Sequence, residues 1–316
     1  MKIAHISDLH LDANYKESNR MGTLQLLDYI SDNNFDHVII SGDITENAES
    51  SAFELARNIF KKYNLLRPDK LTVTIGNHDI FGGVHLAEDV VNFPSKCRKT
   101  NFHQKVKEFA HYFRETFSKN IYNSDNIFPF VKELDDVIIT GLNSIAYYSI
   151  YKNPFASNGK VSTSQIEQAG KILEERVSGS KRRIVVSHHH FKKDSNDNTT
   201  SSATLWQAVE RQTMKLRNKK KIIKMLANIG NEYVLHGHLH ESGSYKRKHI
   251  QFLNAGGSIL GSNFGKLAVN EITVNSDGIS HKITLIDKKK DLRLEENEMN
   301  TSIPSYLLHT KEICLN

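Results

Sequence analysis

The feature that most constrains this chain is the way its apolar runs end. Leu71–Ile80 (LTVTIGNHDI) starts as an alternating, β-branched run, which predicts a strand. It breaks at Gly76, and Asn77, His78 and Asp79 follow without a gap. Four other strand-like runs end the same way. Ile3–His10 closes on Asp8 and His10, and His37–Asp43 closes on Asp43. Arg183–His190 closes on three histidines, and Tyr233–His240 closes on His238 and His240. In α/β folds the strand ends are where a rigid scaffold presents chemistry. Five apolar strands delivering His, Asp and Asn to one edge point to a metal centre, because borderline transition metals take imidazole nitrogen and carboxylate oxygen.

The intervening segments support that geometry. Arg20–Asn33 carries Met21, Leu24, Leu27 and Ile30 at helical spacing, and Ala48–Tyr63 does so with Phe53, Ala56, Ile59, Phe60 and Tyr63. The resulting β-α-β-α-β rhythm predicts parallel strands joined by right-handed crossovers. Phe81–Phe130 interrupts it with a helix expected over Asn101–Phe117. The stripe Phe102, Val106, Phe109, Phe113 and Phe117 on that helix reads as core-facing, with a lid over the site as the sharper alternative. Val137–Leu142 is a further strand. Val161–Val177 is a helix whose Ser162 and Gln165 have capping-box spacing. Thr204–Asn228 is expected to be one basic helix carrying Arg211, Lys215, Arg217, Lys219, Lys220, Lys221 and Lys224. It reads as a solvated face or as a rim that steers phosphates. The β runs His249–Asn254, Leu267–Val274 and Ile279–Ile286 lie too close together for helical crossovers, so antiparallel pairing is expected.

Composition narrows the class. The chain has 316 residues, 38% hydrophobic and 25% charged, as expected of a globular protein with one large or two modest domains. No apolar run approaches the roughly 20 residues of a membrane span, and the first residues do not read as a signal peptide. Cys97 and Cys314 are far apart in sequence, so no disulfide framework is expected and a cytoplasmic location is the default. The net charge of +6 favours anionic partners without singling out nucleic acid.

Taken together, five blocks resemble the calcineurin-like metallophosphoesterase superfamily, in the family's order. They are Asp8-Leu9-His10, Gly42-Asp43, Gly76-Asn77-His78-Asp79, Ser187-His188-His189 and Gly237-His238-Leu239-His240. Each block alone is a common pattern; the set is specific. Within the superfamily the spacing looks most like class III cyclic-nucleotide and glycerophosphodiester phosphodiesterases. The resemblance implies a four-layer α/β/β/α sandwich of two mixed sheets with flanking helices. It implies a catalytic unit over 1–286, insertions 81–130 and 192–228 framing the site, and a tail over 287–316. It implies two divalent ions (manganese, iron or zinc), with Asp8, His10, Asp43 and His240 on one and Asp43, Asn77, His188 and His238 on the other. A hydroxide shared by the ions would be the nucleophile. His78 would act on the phosphoryl group or the leaving oxygen, and Asp79 would hold its other ring nitrogen. The family often has Pro after the His pair. Here it is His190, so His188, which aligns with the family motif, stands beside His189 as a candidate ligand.

The expected activity is hydrolysis of a small phosphodiester. The alternatives are a nuclease, for which Arg211–Lys224 could line a groove, and a phosphomonoesterase or lipid-linked pyrophosphatase, for which the Phe102–Phe117 stripe could cover an acyl chain. A non-catalytic scaffold is disfavoured, because every ligand position is filled.

Overall fold

The computed structural model describes residues 1–83, 87–122, 126–176, 181–192, 214–260 and 265–289. Two mixed sheets pack face to face. The first orders its strands β13-β12-β1-β2-β3: β1 is Lys2–Ile6, β2 His37–Ile40, β3 Leu71–Val73, β12 Lys266–Asn275 and β13 Gly278–Asp287. The second has the order β10-β11-β9-β7-β5-β4, with β4 Phe130–Glu133, β5 Val137–Gly141, β7 Arg182–Val186, β9 Tyr233–His236, β10 Ser242–Arg247 and β11 Ile250–Ala255. A two-stranded ribbon pairs β6 (Gly159–Lys160) with β8 (Leu216–Arg217).

Why the central strands read as continuous apolar runs is visible in the packing. Successive side chains leave a strand on opposite faces. Ile3, Ile39, Ile184, Val186, Leu235 and Leu253 point between the sheets, whereas Ala4, Val38 and Ile40 point outward onto helices. Helices α1 (Glu17–Asp32) and α2 (Ser50–Lys62) cover the first sheet through Leu26, Leu27, Phe53 and Phe60. Helices α7 (Thr163–Arg176) and α8 (Lys219–Asn228) cover the second through Ile166, Ile172, Ile222 and Leu226. Strands buried on both faces have no polar face to alternate with. The four-layer sandwich is therefore the observed architecture, and β1, β2 and β3 pair in parallel as expected.

Four expectations are corrected. The helix over Asn101–Phe117 is two helices, α5 (Phe102–Tyr112) and α6 (Arg114–Phe117), following α3 (His78–Phe81) and α4 (Ala87–Lys99). Its aromatic stripe is core, as expected: Phe109 and Phe113 are fully buried and meet Phe53 edge-on at ring separations of 6.2 and 6.3 Å. Each such pair adds about 0.5–1.5 kcal/mol beyond burial, and a stripe so engaged is no lid for an acyl chain. The basic helix begins only at Lys219, because Leu216–Arg217 pairs as a strand and Asn218 turns the chain at φ 61°. Arg211 and Thr204 lie outside the described residues. Finally, β11 runs parallel to β9, with β10 as its antiparallel partner, while β12 and β13 pair antiparallel as expected. Ser162 caps α7, accepting from the Gln165 amide at 3.2 Å, but the Gln165 side chain bonds Asn143 instead of closing the capping box.

Candidate metal centre

The five strand ends meet at one edge of the sandwich, spanning both sheets. Backbone bonds fix the loops: Asp8 N–H donates to Gly42 O (3.1 Å), His10 N–H to Asp43 O (3.0 Å) and Gly237 N–H to His188 O (3.0 Å). Two further bonds join the sheets. The His188 Nδ1–H donates to Ser41 O at 2.9 Å, and the His238 amide donates to the Asp8 carboxylate at 3.0 Å. Gly42 sits where this approach is tightest. Its φ is +101°, and a Cβ there would fall 2.6 Å from His188 Nδ1, so no other residue fits without displacing the imidazole. Asp8, His10, Asp43 and His238 also adopt left-handed φ (55°, 47°, 48° and 72°). Such conformations cost of order 1–3 kcal/mol each and persist where surrounding bonds over-determine them, a pattern concentrated at functional sites.

The inner group is Asp43, His188 and His238, all buried, with Asn77 beside them. A carbonyl can only accept, so Ser41 fixes the proton on His188 Nδ1 and leaves a lone pair on Nε2 in the neutral ring. That nitrogen faces Asn77 Oδ1, Asp43 Oδ2 and His238 Nδ1, each at 3.1 Å. Two oxygens that can only accept and a second imidazole converge on that lone pair, and His238 Nε2 is buried with no partner among the described residues. Burial pushes His188 down, but Asp43 outweighs it and lifts the imidazole to about 9. A proton thus gathers where the donor set calls for a cation. Desolvation raises Asp43, yet His188 and His78 more than offset it and hold the carboxyl well below its ordinary range.

The outer group is Asp8, His10 and His240. His10 Nε2 lies 3.2 Å from His240 Nε2 and 3.8 Å from Asp8 Oδ1, which is 3.6 Å from His240 Nε2. Here one ligand candidate is open, the His240 side chain being 40% exposed. Asp43 lies between the groups. Its Oδ1 accepts the His78 amide at 2.8 Å while Oδ2 faces His188.

One residue of this site escaped the sequence reading. Glu46 lies three residues beyond Asp43 and is buried. Its Oε2 is 2.7 Å from His10 Nδ1 and 2.9 Å from Lys16 Nζ. It thereby turns His10 Nε2 toward Asp8 and His240. The same residue, not Asp79, attends His78: the His78 Nδ1 meets Glu46 O at 3.0 Å, and the Glu46 carboxylate lies 3.7 Å away. The expected Asp79–His78 pairing is not formed. Asp79 accepts from the amides of Thr45 (2.8 Å), Gly76 (2.9 Å) and Ile44 (3.3 Å), and from the Thr45 hydroxyl (3.0 Å). It tethers the two loops that carry Asp43 and Asn77. Burial, with the nearby Asp43 charge, pushes it up to about 7.

The other histidines separate by what their nitrogens already do. His189 spends both, on Ser144 Oγ (2.9 Å) and Ser157 O (3.1 Å). His190 Nε2 meets Met214 O, His236 Nε2 meets Tyr245 Oη, His37 bonds Asp69 O and Thr72 Oγ1, and His5 bonds Ser41 Oγ and Asn270 Nδ2. Of the His188–His190 run, only His188 points a nitrogen into the acceptor cluster.

The profile of the calcineurin-like phosphoesterase family matches residues 1–242. The chain belongs to that family. Members of the calcineurin-like phosphoesterase family use a dinuclear divalent metal centre, and the two donor groups, with their facing lone pairs, are the residues here that fit one. No curated protein matches the sequence. Among solved structures, a dimetal phosphatase from Danio rerio is similar at 10% identity and TM-score 0.57, over 92% of this chain and 99% of that one. GAP50, the anchor in the inner membrane complex of Plasmodium, is similar at 11% identity and TM-score 0.46, over 92% and 90%. An archaeal phosphodiesterase is similar at 13% identity and TM-score 0.41, over 90% and 100%. Within the described residues, no helix of this calcineurin-like chain is long and apolar enough to cross a membrane.

Proposed function

We propose that this chain is a dinuclear-metal phosphodiesterase acting on small phosphate diesters, with its catalytic unit in residues 1–286. The observation that carries the reading is the convergence of Asn77 Oδ1, Asp43 Oδ2 and His238 Nδ1 on His188 Nε2, beside a second donor group of Asp8, His10 and His240. In this scheme Asp8, His10, Asp43 and His240 hold one ion, and Asp43, Asn77, His188 and His238 hold the other. Asn77 binds through its neutral carbonyl oxygen and so does not quench the ion beside it. Bound ions supply Lewis acidity and an acidified water at neutral pH.

The chain's own residues do the rest. Glu46 orients His10, and Asp79 fixes the spacing of the two loops. His78 keeps Nδ1 on the Glu46 carbonyl and stands T-shaped to His10 at 4.6 Å. Its Nε2 is then the nitrogen that meets the ester, bonding a phosphoryl oxygen or donating a proton to the leaving alkoxide. Preference for a diester follows from charge. A monoester brings a second negative charge and calls for extra cations, yet Lys16, which reaches this cluster, is already paired with Glu46 at 2.9 Å.

The test is the ratio of specificity constants for a diester and its matching monoester with manganese loaded, for example bis-p-nitrophenyl against p-nitrophenyl phosphate. The expected ratio is well above one. A ratio well below one, or hydrolysis that survives complete removal of metal, overturns the reading.

A further inference from the structure

One large aromatic ring near the metal centre is held in place yet left open. Tyr147 lies on the loop between β5 and β6. The residues just before it, Asn143 to Ala146, are buried, whereas Tyr147 stays 59% exposed. A single exposed tyrosine is ordinary; this one is fixed from several sides. The buried Asn153 donates from Nδ2 to the carbonyls of Ala146 (3.4 Å) and Tyr147 (3.3 Å), which sets the backbone. The ring rests on Phe102, the first residue of α5, at 4.5 Å between centroids, and the hydroxyl pairs with His103 Nε2 at 3.1 Å.

Three tethers bring this ring to the rim of the site. Ser144, three residues earlier, accepts from the His189 amide at 3.0 Å and meets its Nδ1 at 2.9 Å. His189 in turn packs on His238 at 4.3 Å. Three residues of chain span at most about 11 Å. On the other side Phe102 packs on Phe81 at 6.2 Å, and Phe81 closes the one-turn helix that His78 opens. The two ends of that turn are separated by about 5 Å along its axis. Lys105, in the first turn of α5, donates to Ala48 O at 2.7 Å, on the loop that starts at Asp43. Tyr147 thus bridges the wall between His78 and the His189–His238 pair.

We propose that Tyr147 determines specificity by stacking its open face on a planar aryl or heteroaryl arm of the ester held at the metal centre. The proposal rests on the metal-centre reading above and adds to it a substrate class. The donor groups can grip only the phosphate, so the choice among ester arms falls to the rim. The Tyr147 hydroxyl is spent on His103, so what the side chain offers an arm is its ring face. Such a face takes another flat ring, offset or edge-on, better than it takes a small alkyl group. Because Phe102 and His103 pin the ring beforehand, little rotamer freedom is lost when an arm docks.

The experiment is isothermal titration calorimetry of the full, manganese-loaded chain with phenylphosphonate and methylphosphonate, anions that are not hydrolysed and that carry a ring or a methyl group. Wild type is expected to bind the phenyl compound about three- to tenfold more tightly. In Y147A and Y147L that preference should fall to within about twofold, with both ions retained by metal analysis. Y147L keeps apolar volume against Phe102, so it carries the test even where Y147A fails to fold. Y147F keeps the face and should keep the preference to within about twofold of wild type. An undiminished phenyl preference in Y147L would overturn the proposal. So would a loss in Y147F equal to that in Y147L, since the hydroxyl would then be the active part. Equal weakening of both phosphonates, with a lowered Tm, would reduce Tyr147 to a prop for α5. Failure of wild type to bind either phosphonate would strike the metal-centre reading itself, and this inference with it.

Discussion

Strands β2 and β3 carry buried polar clusters at both ends, and the two ends differ in kind. At the N-terminal end the His37 Nδ1–H donates to Asp69 O and its Nε2 accepts from the Thr72 hydroxyl, at 2.8 Å each. Lys132 reaches in from β4 and donates to Leu71 O at 2.6 Å. At the C-terminal end His188, Asp43, Asn77 and His238 turn acceptors toward one another. Burial, with help from Lys132, pushes His37 down to about 3. Burial acts on His188 too, but Asp43 outweighs it and the imidazole rises to about 9. Equal burial thus gives opposite outcomes. A buried histidine whose partners complement it is structural; one whose neighbours repeat its own polarity marks the place of a missing positive charge.

The largest effect that would break this contrast is at Asp43. If its carboxylate serves both donor groups, D43N loses at least one ion per chain by metal analysis. Several kcal/mol of charge stabilisation goes with it, so kcat/KM should fall by about 10³-fold or more. Two tightly held ions and normal turnover in D43N would show that the Asp43 carboxylate is not shared between the two donor groups. By contrast, T72A beside His37 should leave metal content unchanged.

His78 comes next. It abuts the centre, but its Nδ1 is satisfied by a backbone carbonyl, as the nitrogens of His37 are by their partners. H78A is therefore expected to keep both ions and lose roughly 10²–10⁴-fold in kcat, as for removal of a general acid. The loss should shrink for p-nitrophenyl esters, whose leaving group needs no proton. An equal loss for alkyl and p-nitrophenyl esters would make His78 an electrostatic stabiliser instead, and a loss of metal would return it to the ligand set.

Most of this was readable in advance where burial is two-sided. Parallel strands with both faces covered stand out as apolar runs, and the polar residues that end them stand out by contrast. Strand β10, SGSYKR, was not readable, since an edge strand with exposed Ser244 and Lys246 shows no apolar face. Residues 216–217 read as helix because two residues carry no period, and their strand exists only through pairing with β6. The partner of His78 was misassigned for a simpler reason. Asp79 is its neighbour in sequence, but successive side chains on a helix diverge by about 100°, so Asp79 points back to Gly76 and Thr45. Glu46, distant in sequence, arrives from another strand end. Adjacency in the chain predicts loops well and side-chain partners poorly.

The smallest effect on activity, and the one that probes the opposite end, is at Lys132. Its side chain is buried with 2% exposure. Desolvation lowers its pKa to about 7, although Asp69 pulls the other way. In the unfolded chain a lysine titrates near 10.4. Between about pH 7 and 10 the unfolded state therefore binds a proton that the folded state does not, and stability rises with pH across that window. Below pH 7 both states hold the proton, and the full cost of burying the ammonium is present. His37, facing Lys132, stays neutral throughout the window, and Asp69 stays charged, so neither cancels the slope. K132M removes the titrating group and keeps its apolar stem. Urea unfolding of both proteins from pH 6 to 10 should show the variant ahead of wild type at pH 6, by on the order of a few kcal/mol. The advantage should decline as pH rises, while kcat/KM per bound metal stays unchanged. A difference that is constant with pH would mean that folding does not shift the Lys132 pKa and that its ammonium stays charged in the folded state. A drop in metal content would mean that the two ends are coupled through β3, and the contrast between them would have to be redrawn.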